Sequence, residues 1–330
     1  MATTTTTEPS KHEPIPYAEH DKLGPLSRAA ILENELELRK ALVAEFAGAA
    51  DAARDAAASV DRGAATAVHD YRKALRRARA ILSLVAGALP KSERRAVRGA
   101  LREARRALGS ARDHAVAPDT LSQLPLGADE RDIANKLVIA AGEGMPAIAE
   151  IKQLLAEGAA RAAAQVEALE AALPPAIAWE IVLDGIRGVY DEARRARKAA
   201  KRSKRAFHLW RRRSKELVYQ LELLSGFAGA GTNALYHEIE GVTDVQSPAV
   251  DLIMLRDFVR AHGQALSPEA FDHLIAAIDG QLADAMKLAR KAGRDAYARR
   301  PRKFAKRVSK LVHRDLAPAE GHDDGEIHGD

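Results

Sequence analysis

Apolar residues recur along most of the chain at intervals of three and four, the period of a helix that packs along one side. In the run LSRAAILENELELRKALVAEFAGAADAARDAA this spacing is carried by Leu36, Leu38, Leu42 and Phe46. The same period predicts helices from about Thr66 to Ala88, stopped by Gly87 and Pro90, and from Ser92 to Leu108, stopped by Gly109. A loop is expected around Pro118 to Leu126, followed by helical sequence up to Pro174 and Pro175. Beyond those prolines come helices from about Ala178 to Ala200 and from Lys204 to Leu224, then the glycine-rich punctuation GFAGAG. Two or three further helices follow, with a basic final one holding RKFAKRVSKLVHR. No segment alternates as a strand would, so the predicted fold is all-α. The alternation of Glu33, Glu35, Glu37 and Arg39 resembles the ExExK strands of triphosphate tunnel enzymes. The sequence around it is not strand-like, and charged positions on a helix are the simpler reading.

A polar lead, residues 1–24, and an acidic tail, residues 312–330 with PAEGHDDGEIHGD at its end, flank the predicted domain. The domain itself spans 25–311, with a first half of about 25–173 and a second of about 176–311. Composition sharpens this picture. Hydrophobic residues make up 47% of the 330, much of that alanine, while aromatics are only 4%, a profile of closely packed helices. The chain has no cysteine, which excludes disulfides and thiolate chemistry and fits a reducing compartment. There is no apolar run of the roughly 20 residues that a membrane span needs, and MATTTTTEPSKHEPIP lacks the character of a secretory signal. A soluble, cytoplasmic protein is expected.

The formal net charge is only +5, but it is unevenly placed. Arg72 to Arg112 holds thirteen Lys/Arg against Glu93 and Glu103, and Arg187 to Lys215 holds thirteen against Asp191 and Glu192. Each window is net +11, which leaves −17 for the rest of the chain. Separation of this kind points to a polyanionic partner, because an interspersed surface would be as soluble with less self-repulsion.

Two segments inside those windows share one grammar. VHDYRKALRRAR begins at Val68 and FHLWRRRSKELVYQ at Phe207. Aligning His69 with His208 places Arg72 beside Arg211 at +3, Lys73 beside Arg212 at +4, and Arg76 beside Lys215 at +7. On a helix these positions lie within roughly 100° of one another and form a cationic stripe headed by histidine. Arg77 and Arg79 widen the first stripe. Tyr71, Leu75, Ala78 and Leu82 back the first helix, as Trp210, Leu217, Leu221 and Leu224 back the second. The repetition marks two related halves. Adjacent helices add Arg94, Arg98, Arg102 and Arg105 on one face, and Arg187, Arg194, Lys198, Lys201 and Arg205 on another. Converging faces would line a groove or channel for a multivalent anion. A bound anion beside His69 and His208 would favour their charged form, so binding should tighten as pH falls through the histidine range.

These motifs resemble the conserved histidine α-helical domain (CHAD) family. His69, Arg72, Arg76, Arg77 and Arg79 fit its H-x-x-R-x-x-x-R-R-x-R pattern. Leu108, Gly109, Arg112 and Asp113, within LREARRALGSARDHAV, fit its L-G-x-x-R-D turn, and His208, Arg211, Lys215 and Tyr219 fit H-x-x-R-x-x-x-K-x-x-x-Y. The resemblance runs from about Pro25 to Leu311. A second-half counterpart of the turn would fall near Gly241 to Asp244, one residue short in spacing. The resemblance implies two four-helix bundles related by a pseudo-twofold, with a basic channel between them that binds inorganic polyphosphate. It also implies association with polyphosphate granules, and proteins of such granules as partners. No cofactor or catalytic device is implied. Arginine suits such a ligand, since its planar fork holds phosphate oxygens in pairs.

Three other chemistries compete. A basic channel would attract nucleic acid, but single-strand readers stack bases on aromatics, and Tyr71 and Trp210 are predicted to face away from the cations, leaving only Tyr219 near a stripe. Phosphoanhydride hydrolysis generally needs metal held by clustered carboxylates, which the basic windows lack. Metal binding at His69 or His208 would be opposed by the surrounding cations.

Overall fold

The structure, a computed structural model, describes residues 34–106, 117–118, 120–124, 126–142, 146–228 and 230–316. The polar lead, the acidic tail beyond 316 and the turn motif carrying Arg112 and Asp113 lie outside these residues. Every regular element among the described residues is helical, and the protein is all-α.

Helix α1 (Glu35–Ala58) begins where Asn34 Oδ1 accepts hydrogen bonds from the N–H groups of Leu36 and Glu37, at 3.0 and 3.3 Å. Glu35 and Glu37 therefore occupy a helical first turn, where negative charge is favoured, and are not strand residues. Leu38, Leu42 and Phe46 carry the apolar face inward, while Leu36 stays exposed at its edge. Helix α2 (Ala64–Leu84) stops earlier than Gly87 and Pro90 alone would suggest, and Arg94 Nη1 donates to the Ala86 carbonyl (3.1 Å) in the turn beyond it. Helix α3 (Lys91–Arg106) follows. The expected loop at Pro118 to Leu126 instead contains helical residues at 117–118 and 120–122. Ala117, Leu121, Leu124 and Leu126 explain this, because all four are buried in the core.

Helices α4 (Ala128–Gly142), α5 (Ile148–Ala172) and α6 (Trp179–Ala199) lead into α7 (Lys204–Ala228). The glycine-rich segment barely interrupts the helical run, since α8 (Ala230–His262) starts at once and packs along α7. Gly241 and Asp244, where a second-half counterpart of the turn would fall, lie inside α8. Pro248 also lies inside it and, lacking an N–H, leaves the Asp244 carbonyl without its helical donor. Helices α9 (Pro268–Ala296) and α10 (Pro301–Leu316) complete the fold.

Helix α1 packs on α2 and α5, and α3 on α5 and α2. Later in the chain α6, α7, α8 and α9 pack in succession, with α10 laid on α6, α8 and α7. Helix α2 meets both α6 and α7, and a single apolar core runs through both groups. The predicted apolar backs, from Tyr71 to Leu82 and from Trp210 to Leu224, are all buried. Tyr71 and Trp210 occupy matched positions, and each lies against a glycine of a later helix. A Cβ on Gly158 would collide with the Tyr71 ring, and one on Gly293 would stand 2.5 Å from Trp210 Cζ2. Ionic ties fix the second group: Lys204 and Arg256 converge on Asp279 at 2.8 and 2.7 Å, and Arg213 holds Glu192 at 2.6 Å.

Candidate anion-binding site

Where α2 crosses α7, their buried faces are pinned by polar contacts. Gln220 Nε2 donates to Ser83 Oγ (2.8 Å) and to the Ala80 carbonyl (3.3 Å), and Arg77 lies 3.6 Å from Glu222. Arg77, predicted as a ligand contact, thus ties the two helices together. Further cations form two groups around the crossing helices. In one, Arg76 of α2 acts electrostatically on Arg211 and Lys215 of α7. In the other, Arg79 of α2 is close enough to Arg98 and Arg105 of α3 and to Arg212 of α7 to be influenced by each. Seven predicted cations from three helices therefore share one region.

The region is cationic at a cost. Burial, with Arg105, Arg98 and Arg212 nearby, draws the Arg79 guanidinium down to about 10 despite Glu216. Burial and Arg76 likewise draw Arg211 to about 10, and burial and Arg211 draw the Lys215 ammonium to about 8. The Nε of Arg79 and Nη1 of Arg211 are buried without a hydrogen-bond partner among the described residues. Unsatisfied buried donors of this kind are costly, and oxygen-rich anions would relieve them. Nearby acids, of which the sequence reasoning noted only Asp244 and not as a neighbour of these cations, moderate the field. Asp244, 69% exposed, stands 4.0 Å from Lys215 Nζ, and Asp251 acts on Arg211, whose Nη2 also donates to Ser247 Oγ (2.7 Å). Residues 244, 247 and 251 follow helical spacing on α8, a signal that could have been read from the sequence once α8 was paired with α7.

Other predicted residues are placed differently. Arg72 is only 8% exposed, Lys73 is half-buried, and Arg102 is exposed on α3. His69 is exposed near the start of α2. His208 is half-buried near Asp257 and Arg212, and burial holds its imidazole below the ordinary range in the unliganded protein. Arg194 faces Tyr190 and Arg197, which in turn lies beside Arg294 of α9. Lys198, Lys201 and Arg205 are exposed beyond it. Arg112 lies outside the described residues.

A model of the CHAD domain matches residues 44–263, two thirds of the chain. The chain belongs to the CHAD domain family. The matched span is narrower than the Pro25 to Leu311 suggested by the motifs, and it contains every helix of the cationic crossing. The crystal structure of the CHAD domain from the plant Ricinus communis is similar in fold, with a TM-score of 0.54 and 18% identity over 79% of this chain and 91% of that one. No curated protein matches the chain. Among the described residues no helix is long and apolar enough to cross a membrane, and no group of three or more His, Asp or Glu side chains is placed to hold a metal ion.

Proposed function

We propose that this CHAD domain protein binds inorganic polyphosphate at the α2–α7 crossing, without turning it over, and that it sits on polyphosphate granules in the cytoplasm. The observation that carries the reading is the gathering of Arg76, Arg79, Arg98, Arg105, Arg211, Arg212 and Lys215 in one region. Like charges brought together this way repel, and a multivalent anion converts that repulsion into attraction. Polyphosphate carries a charge on each successive phosphate with no sugar between them, so it can meet closely spaced cations one after another. Binding without turnover fits the acids at the site, since Glu216 is paired with Arg213 (2.5 Å) and Asp244 faces Lys215, each engaged with a cation.

Competition tests the choice of polymer. Tyr71 and Trp210 are fully buried and offer no stacking face to a base. Single-stranded DNA of equal total charge should therefore compete at least about tenfold more weakly than polyphosphate at 0.15 M salt, with base stacking absent. Equal competition by the two polymers would replace this reading with general polyanion adhesion.

The pH dependence follows from Lys215. Its pKa of about 8 in the free protein is raised by a bound polyanion, so binding takes up a proton and is strongest below that pH. Affinity should fall about tenfold between pH 7 and pH 9, and Lys215→Arg should flatten the decline. Low-pH tightening from His208 adds to the same trend, because an anion opposes the burial that depresses it. Calorimetric titration across this range checks the sign; a profile that rises with pH would exclude Lys215 from the site.

A further inference from the structure

A basic concavity lies where α9 ends and α10 begins. Its volume is about 710 Å³, and Arg299, Arg300, Lys303 and Arg307 line it together with Glu238 and Asp295. We infer that this elbow is a separate binding site for a compact anion carrying two or more phosphoryl groups. The inference stands independently of the reading of the α2–α7 crossing.

Four observations support it. The lining has four cations against two carboxylates, a surplus of two positive charges that a dianion or a more highly charged group would neutralise. One of the carboxylates is already engaged, since Arg307 holds Glu238 at 3.0 Å, whereas Arg300 and Lys303 are exposed and have no ion-pair partner among the described residues. The backbone contributes as well. The first hydrogen bond at the start of α10 runs from the Phe304 N–H to the Arg300 carbonyl (3.0 Å), which leaves the N–H groups of Arg302 and Lys303 free of helical acceptors at the positive end of a 16-residue helix. The elbow is also braced from within. The Tyr190 hydroxyl bonds to the carbonyls of Ala296 (3.1 Å) and Arg299 (3.2 Å), and its ring stacks on Phe304 at 3.8 Å. A site fixed before the ligand arrives loses less entropy on binding.

The elbow is distinct from the crossing. Glu238 points from the side of α8 roughly opposite to Glu240, Asp244 and Asp251, which face α7. It also depends on α9 and α10, which lie beyond the residues matched to the family. The volume suits a ligand of a few phosphoryl groups, since small-molecule sites commonly span about 300–1,000 Å³. Such a group could come from a free oligophosphate or from a stretch of the polymer already held at the crossing.

The test is calorimetric titration of the full chain with tripolyphosphate, beside Arg300→Glu/Lys303→Glu and Arg76→Glu/Arg98→Glu. The elbow variant should bind one equivalent fewer than the parent, with an unchanged melting temperature and helical circular dichroism. The crossing variant should keep the elbow equivalent. An elbow variant with the parent's stoichiometry, or a crossing variant that binds none, would overturn the proposal. Loss at the elbow alone, with the crossing variant equal to the parent, would support this site while sinking the reading of the crossing. Long-chain polyphosphate then separates the sources: weaker binding by the elbow variant assigns the site to the polymer, and unchanged binding assigns it to a free oligophosphate.

Discussion

Arg76→Glu combined with Arg98→Glu should weaken polyphosphate binding about a thousandfold at physiological salt and leave the fold intact. Arg76 belongs to the group with Arg211 and Lys215, while Arg98 belongs to the group around Arg79 and Arg212. The pair therefore damages both groups at once. Each reversal removes a charge-assisted contact and substitutes a repulsion, about 2 kcal/mol apiece, and about 1.4 kcal/mol is a factor of ten. Arg98 is exposed and Arg76 half-buried, so neither change empties the core. The same substitution at Lys136 and Lys287, exposed on α4 and α9, alters net charge equally and should cost less than about tenfold. Fluorescence anisotropy with labelled polyphosphate measures both. Equal losses in the two double variants would mean that net charge, and no particular site, governs binding.

Much of this arrangement was legible in the chain. The period of apolar residues located the helices because burying one side of a helix is a local demand, and it placed Tyr71 and Trp210 in the core correctly. The matched offsets from His69 and His208 brought forward Arg76, Arg211, Arg212 and Lys215, which lie at the crossing, whereas His69 is exposed near the start of α2 and Arg72 is buried. What the sequence could not show was how side chains would be divided among neighbours. Arg77 shares the stripe's spacing, but only the approach of α7 supplies Glu222 to hold it. Arg194 has the same charge and spacing as its neighbours, yet α6 turns it toward Tyr190 and Arg197. The helical residues at 120–122 were hidden by Pro118 and Pro125, although Leu121 and Leu124 are buried in the core. Of the elbow cations only Lys303 and Arg307 were read, as part of a basic final helix, because the cavity depends on Glu238, some sixty residues earlier, being brought to α10.

Gly185 is where a single added carbon should do most harm to the fold. A Cβ there would stand 2.5 Å from the Leu84 carbonyl oxygen and 2.6 Å from the Leu84 Cα. Those atoms are backbone at the end of α2, so no side-chain rotation can relieve the clash, and α6 and α2 must separate. Gly185→Val should destabilise the protein by about 3 kcal/mol or more, the upper part of the range for overpacking. Gly188→Ala offers the opposite outcome from the same helix, because nothing lies within 4 Å of its Cβ. Replacing glycine there relieves a helix-propensity penalty and should stabilise by up to about 1 kcal/mol. Denaturant unfolding of the two variants separates tight packing from propensity; a Gly185→Val protein as stable as the parent would show that α2 and α6 do not approach this closely. Binding should follow stability in this case. Moving α2 away from α6 also shifts Arg76 and Arg79 relative to Arg98, Arg211 and Lys215, so the folded fraction of Gly185→Val should hold polyphosphate more weakly than the parent, although no charge has changed.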